Sequence, residues 1–284
     1  MTISVADISN VLKLRIGAVI ALSSVAGMLI TPGPSQPSWR VAVLVVSVLM
    51  CASAAGAFNQ FFERDLDARM SRTRNRPFVA GRIVPGPAWV VGMALMLVIG
   101  AGFAMLLGWT AAAYVILGAL VYGVVYTVWL KRRTAWNIVV GGLSGSFAVL
   151  AGAAVVDPMP SPLPVALAMI LFLWTPPHFW SLALARREDY AAAGVPMLPV
   201  LLSPGATARV ILAHAAVLVA VSFVPVMFGL GTVYFVSAAA GGAFLVVLCL
   251  RLAAEPTRPR AMGAFLGSLV QLLSIILGIT LESL

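Results

Sequence analysis

The sequence predicts an all-α, polytopic integral membrane protein with nine transmembrane helices. Three observations carry that prediction. Of 284 residues, 62% are hydrophobic and only 10% are charged, with a mean hydropathy of +1.05. A water-soluble domain of this length does not carry so much apolar surface, whereas a bilayer demands it, at about 20 apolar residues per crossing. Apolar runs of that length recur nine times, over 14–31, 40–62, 88–108, 111–130, 135–156, 163–184, 207–229, 232–251 and 262–281. On that division, seventeen of the 18 Lys and Arg residues fall on one side of the membrane and only Arg40 on the other. Basic residues collect on the cytoplasmic side. The N-terminus is therefore expected in the cytoplasm and the C-terminus outside, in a cell (plasma) membrane, with 1–284 forming a single membrane domain.

Each span has its own local signals. The first, 14–31, starts between Lys13 and Arg15 and lacks a small-residue cleavage site, so it reads as a retained helix rather than a signal peptide. The second, 40–62, turns polar at Asn59, and the longest polar stretch, about 63–87, follows it. The third and fourth, 88–108 and 111–130, lead to Lys131-Arg132-Arg133. The fifth, 135–156, carries Asn137 near its cytoplasmic end. The sixth, 163–184, contains Pro176-Pro177, a pair that kinks membrane helices, and then His178. It ends on Arg186-Arg187-Glu188-Asp189-Tyr190. In the last three, 207–229, 232–251 and 262–281, the polar residues are few; His214 lies near a cytoplasmic end and Gln271 lies deep. Cys51 and Cys249 both fall inside spans and form no metal-binding spacing. Basic residues after the even-numbered spans hint at a four-helix unit used twice, with a ninth helix added.

The placement of charge narrows the function. No Asp, Glu, Lys or Arg falls near mid-bilayer, where an ion-coupled transporter would place them. Seven of the nine acids (Asp7, Glu63, Asp65, Asp67, Glu188, Asp189 and Glu255) are cytoplasmic, so the working surface is one face of the membrane. The formal net charge of +9 is mostly topology and does not argue for nucleic acid, since no interleaved basic and aromatic module is present. No Ser-His-Asp or Cys-His constellation and no Walker A loop stands in the chain.

Asn59, Glu63 and Asp67 are the most informative residues. Steps of four put an amide and two carboxylates on one helical face; Asp65 falls off it. Mg²⁺ takes oxygen ligands and commonly shares them between few carboxylates and substrate phosphates. The second acidic cluster, Glu188-Asp189, lies four spans later on the same side. The two clusters facing each other could hold two Mg²⁺ ions around a diphosphate, with nearby guanidinium groups neutralising the remaining charge. Such a site suits a substrate with a diphosphate head at the cytoplasmic surface and an apolar tail among the helices. The chemistry would be loss of diphosphate from an allylic carbon and capture of the cation by an electron-rich acceptor.

Four segments carry a family resemblance. They are Asn59-xxx-Glu63-xxx-Asp67 with Arg72-Thr73-x-Asn75-Arg76-Pro77; Tyr126-Thr127-x-x-Leu130-Lys131-Arg132-Arg133-Thr134-x-x-Asn137; Trp174-Thr175-Pro176-Pro177-His178-Phe179-Trp180; and Glu188-Asp189-Tyr190 with Ala193-Gly194-Val195-Pro196-Met197-Leu198-Pro199. Together they resemble the intramembrane UbiA-type prenyltransferases, and within them the protohaem IX farnesyltransferase (haem O synthase) branch. The resemblance runs from about Lys13 to Gly278. It implies nine helices around a central cavity open towards the membrane, with farnesyl diphosphate and protohaem IX as substrates in the lipid bilayer. It implies Mg²⁺ held through Asn59, Glu63, Asp67 and the second acidic pair, Asp189 with Glu188. Arg72, Arg76, Lys131, Arg132 and Arg133 fall where that family's diphosphate-contacting bases lie. Tyr126, Asn137, His178 and Arg187 complete the candidate substrate-binding set, and a haem-modifying membrane enzyme is the expected partner.

The chain departs from the pattern in two places. The fifth helix has Ala148-Val149 where a Pro-Pro is expected and no Trp after Gly152, and Leu14 stands where a proline is common. Bland readings stand beside the functional ones. Asp189 could pair with Arg186 or Arg187 as an interfacial salt bridge. His178 could ligate or orient haem iron, or simply hydrogen-bond a carbonyl. The basic residues are required for topology in any case. The alternative acceptor is a quinone precursor or another ring, against which the His178 and Met197 segments stand, and a transporter is the reading that clustered acids without mid-bilayer charge disfavour.

Overall fold

The computed structural model describes residues 3–283, and among them there is helix but no strand. The chain forms α1 (Val5–Val11), α2 (Leu14–Ile30), α3 (Ser38–Phe62), α4 (Arg64–Arg69) and α5 (Pro87–Met105). It continues through α6 (Trp109–Leu120), which runs on as a π-helix (Val121–Leu130), then α7 (Asn137–Gly141), α8 (Leu143–Val156), α9 (Pro162–Ala185) and α10 (Arg187–Ala192). The remainder is α11 (Leu198–Leu201), α12 (Pro204–Val221), α13 (Val224–Met227), α14 (Thr232–Ala254) and α15 (Arg258–Glu282). Among the described residues, eight helical spans are long and apolar enough to cross a bilayer. The pair α1–α2, bent by 52°, makes a ninth when taken as one span. The protein is thus a multi-pass, all-α membrane protein, with helix ends within a few residues of the predicted spans.

Two local departures from regular spans bear on function. The second span does not continue straight through its acidic row. Glu63 leaves helical geometry (φ −93°, ψ 17°) and separates α3 from α4. The row therefore does not lie on one continuous helix, as its spacing suggests. The backbone amide of Glu63 still bonds Asn59 and that of Asp67 still bonds Glu63, so the break is a kink where the chain leaves the bilayer. In the fifth span α7 passes into α8 through Gly142, which keeps helical dihedrals (φ −60°, ψ −26°). The fourth ends in the π-helix, whose wider i→i+5 turn is typical of functional sites; the Lys131 amide reaches the Tyr126 carbonyl at 2.9 Å.

Helix packing follows the small residues. A methyl added at Gly152 would sit 1.7 Å from the Ser24 carbonyl oxygen, and one at Gly27 would sit 2.1 Å from that of Val149. Helices α2 and α8 therefore approach at backbone contact, the membrane mode in which missing side chains allow close dispersion contact. This crossing occupies the segment where the prolines are absent. One apolar core joins α9, α12, α14 and α15 through residues such as Trp180, Ile211, Leu245 and Ile275. A second joins α2, α3, α6 and α8 through Leu44, Ala112 and Val155. A third anchors the polar stretch after α4: Phe78 packs edge-on to Phe61 and Trp89, with Ile83 and Met93 beside them. The outer faces expose Val91, Leu95 and Val98 of α5 and Val247 and Leu250 of α14, surfaces suited to lipid.

Candidate active site

At the end of α3, three of the predicted residues are buried and each meets a base. Asn59, Glu63 and Asp67 are 3%, 0% and 3% exposed. Lys13 Nζ donates to Asn59 Oδ1 at 2.5 Å and to the Tyr122 hydroxyl at 2.8 Å. Lys131 Nζ donates to Glu63 Oε2. Arg76 Nη1 donates to Asp67 Oδ2 at 2.6 Å. Buried charge is tolerable only when paired in this way.

The surrounding elements explain how these groups arrive. Lys13 sits at the bend between α1 and α2 with φ +51°, the only non-glycine residue with positive φ among those described. That geometry carries its stem past Gly56, whose missing side chain leaves it room. The π-helix delivers Tyr122, Tyr126 and Thr127. The two tyrosine rings stack at 5.8 Å, and Thr127 accepts from the Asn59 side-chain amide at 3.0 Å. Lys131 lies 5.7 Å from the Tyr126 ring centre and Lys13 5.4 Å from that of Tyr122, within cation–π range.

The remaining predicted residues are distributed differently. Asn137 is buried at the start of α7, its side-chain amide donating to the Thr134 carbonyl. Arg132 is drawn away by Asp65 in a two-pronged pair, both arms 2.8 Å. The same bonds hold the Asp65 carboxyl below the usual carboxylate range. Arg72 and Arg133 are exposed. Arg187 is also exposed, and its Nε donates to the Pro199 carbonyl at 2.8 Å, fixing the segment after α10. Met197 in that segment is buried core. Glu188 is exposed, while Asp189 accepts from the Ser71 amide at 3.0 Å and the Ser71 hydroxyl at 2.9 Å. Asp189 therefore joins the loop after α4 to α10 instead of pairing with Arg186 or Arg187. Burial raises its carboxyl, but the two Ser71 bonds and the nearby Arg186 outweigh that and hold it low.

His178 does not enter the acidic row. It is 6% exposed, sandwiched between Trp174 at 4.1 Å and Phe265 at 4.4 Å, with Nδ1 2.7 Å from the Ser268 hydroxyl. Helices α9 and α15 clamp the ring between them. His214 packs edge-on to Trp180.

Lys13, Tyr122 and Thr127 are the site residues that sequence reasoning left out. Thr127 lay within a quoted motif, and Lys13 was a basic residue entering a span, a signal attributable to topology alone.

Could a metal fit here? Glu63 Oε1 and Asn137 Oδ1 are both buried with no hydrogen-bond partner. An orphaned buried oxygen is costly and is the donor type that a hard cation takes. Among the described residues no three His, Cys, Asp or Glu side chains form a closed metal cage. A cation bound at Glu63 would therefore complete its shell with oxygens from a substrate.

Comparison with known proteins gives the family. The model of the UbiA prenyltransferase family matches residues 20–274. The chain belongs to the UbiA prenyltransferase family. A relative from Paramagnetospirillum magneticum, protoheme IX farnesyltransferase 2, is 51% identical over 286 residues, covering 100% of this chain and 99% of the relative. The protoheme IX farnesyltransferase of Rhodopseudomonas palustris (strain BisB5) is 41% identical over 252 residues, covering 87% and 79%. A UbiA homologue from Aeropyrum pernix superposes with a TM-score of 0.79 at 21% identity, covering 95% of this chain and 99% of that one. The Archaeoglobus fulgidus UbiA homologue bound to GPP and Mg²⁺ gives 0.71 at 13% identity, with 96% and 99% covered. Both structural likenesses establish the fold.

Proposed function

We propose that this chain transfers the farnesyl group of farnesyl diphosphate to a vinyl group of protohaem IX, giving a haem with a hydroxyethylfarnesyl side chain. The observation that carries this reading is the 51% identity, end to end, with a relative called protoheme IX farnesyltransferase 2. The site geometry supports it. A buried acidic row next to three bases is what a diphosphate head and a divalent cation would need.

Asn59, Glu63 and Asp67, with Asp189 and Glu188 of the second cluster, are the residues that would hold Mg²⁺, which would supply charge stabilisation to the departing diphosphate. Lys13, Arg76 and Lys131 neutralise the acidic row in its ion-paired state. When substrate arrives, Arg76 and Lys131 exchange a carboxylate for a phosphate partner, and Lys13 exchanges the Asn59 amide oxygen for one. Arg72, Arg132 and Arg133 add positive potential at the cytoplasmic rim. The C–O bond of the donor breaks with its electron pair leaving on the diphosphate. The stacked Tyr122 and Tyr126 rings beside Lys13 and Lys131 supply the electron-rich groups that an allylic cation would need. The vinyl π electrons then form the new C–C bond. The cation left beside the porphyrin ring takes a water oxygen and loses a proton, giving the hydroxyethyl carbon. The cytoplasmic face of the plasma membrane is the place for this site, given the basic asymmetry.

The test is expression in cells lacking their own activity of this kind, followed by extraction of the haems. A haem carrying hydroxyethylfarnesyl is expected. Recovery of protohaem alone from folded protein, with a different prenylated ring accumulating, would overturn the acceptor and leave the prenyl transfer standing.

A further inference from the structure

A second cleft lies outside the acidic row. It encloses about 240 Å³ at the cytoplasmic ends of α9 and α15, between Ser71, Arg186, Glu188, Asp189 and Arg258. Its bases are differently committed from those of the row. Arg187, on its wall, is spent on the Pro199 carbonyl. Arg186 and Arg258 take part in no salt bridge among the described residues. Arg186 Nε is buried without a hydrogen-bond partner. A guanidinium N–H held out of water with nothing to donate to is costly, and an anionic oxygen removes that cost. Of the two acids in the wall, Asp189 is already satisfied by Ser71, and Glu188 is exposed.

The cleft stands at the top of an aromatic seam. Helices α9 and α15 run antiparallel, and His178, Trp174 and Phe265 stack between them. Arg186 is eight residues above His178, about 12 Å along the helix, and Arg258 is seven above Phe265. A cationic rim suits a planar ring whose carboxylates sit at one edge. The diphosphate has its own bases at the other end of the site, in Lys13, Arg76 and Lys131.

We propose that this cleft is the subsite for the carboxylates of the ring acceptor, with Arg186 and Arg258 as their partners. This deepens the reading of a porphyrin acceptor given above and rests on it. It makes the two propionates the handle that sets which edge of the ring faces the donor.

The experiment is a titration of the purified full-length protein in lipid nanodiscs, followed by the haem absorbance band. Haem is compared with its dimethyl ester, in which both propionates are blocked, and farnesyl diphosphate binding with Mg²⁺ is measured separately. The wild type should bind haem roughly tenfold more tightly than the ester, the discrimination of one good charged hydrogen bond. Arg186→Gln and Arg258→Gln should each remove most of that preference and leave farnesyl diphosphate binding unchanged. The wild-type comparison needs no variant, and Arg258 is exposed, so loss of fold does not confound both arms. Equal affinity for haem and ester in a wild type that makes the farnesylated haem would overturn the subsite alone. Weakened diphosphate binding with intact haem preference in the variants would also overturn it, assigning the cleft to phosphate. If the wild type binds neither porphyrin and makes no farnesylated haem, the acceptor reading fails and the subsite with it.

Discussion

The two acidic clusters differ in every physical respect except charge. The first sits at the end of α3, sealed from solvent, with a cation on each carboxylate: Lys131 on Glu63 and Arg76 on Asp67. The second lies on the six-residue helix α10, open to solvent, and Asp189 is held by the neutral amide and hydroxyl of Ser71. The first is part of the packed bundle; removing one partner strands a buried charge. The second is a clasp between α10 and the loop after α4, and opening it strands nothing. The first cluster is locked by buried ion pairs, and the second is tied by the Ser71 bonds alone.

Substitutions test that contrast, beginning with the largest effect. Asp67→Asn and Glu63→Gln should cut turnover by on the order of 10²–10³, the scale for losing one electrostatic support of the leaving charge. They should also lower the melting transition in detergent, because an unpaired buried cation costs roughly 3–5 kcal/mol. Asp189→Asn should lower turnover strongly while the melting transition stays within error, since an asparagine oxygen still accepts from Ser71. A melting loss equal to that of Asp67→Asn would erase the distinction between the clusters.

Ser71→Ala is a gentler probe. It removes one bond of the clasp and leaves every proposed metal donor intact. Stability should fall by about 1 kcal/mol or less, and KM for farnesyl diphosphate should change more than kcat; an unchanged KM would argue that the clasp does not gate entry. The smallest effect is expected at Asp65. Its side chain is 50% exposed although its pair with Arg132 has good geometry. Exposed pairs contribute about 0–1 kcal/mol, so Asp65→Asn should leave turnover and melting nearly unchanged. A loss approaching that of Asp67→Asn would place Asp65 in the working row.

Much of this was legible in the chain itself. The row Asn59, Glu63, Asp67 declared itself by spacing, and the structure does bury all three together. Asp65 was separated from it by the same geometry and is found outside, on Arg132. The kink at Glu63 was not legible, because nothing in Phe61-Phe62-Glu63-Arg64 breaks a helix by propensity. The clamp on His178 was not legible either, because Phe265 reaches it from a helix far away in sequence.

The sequence by itself determined the class and the spans. Partition into a bilayer depends on the summed apolarity of about 20 residues, a local property that no tertiary contact can overrule. Only the tertiary structure decided which base meets which acid. Lys13, Lys131 and Arg76 are all basic residues close to the ends of apolar spans, and composition cannot tell a topological charge from a site charge. The αL turn at Lys13, the widened π-helix before Lys131 and the loop anchored by Phe78 place them on Asn59, Glu63 and Asp67. Pairing is a matter of a few ångströms between distant segments, which the packing of the bundle sets.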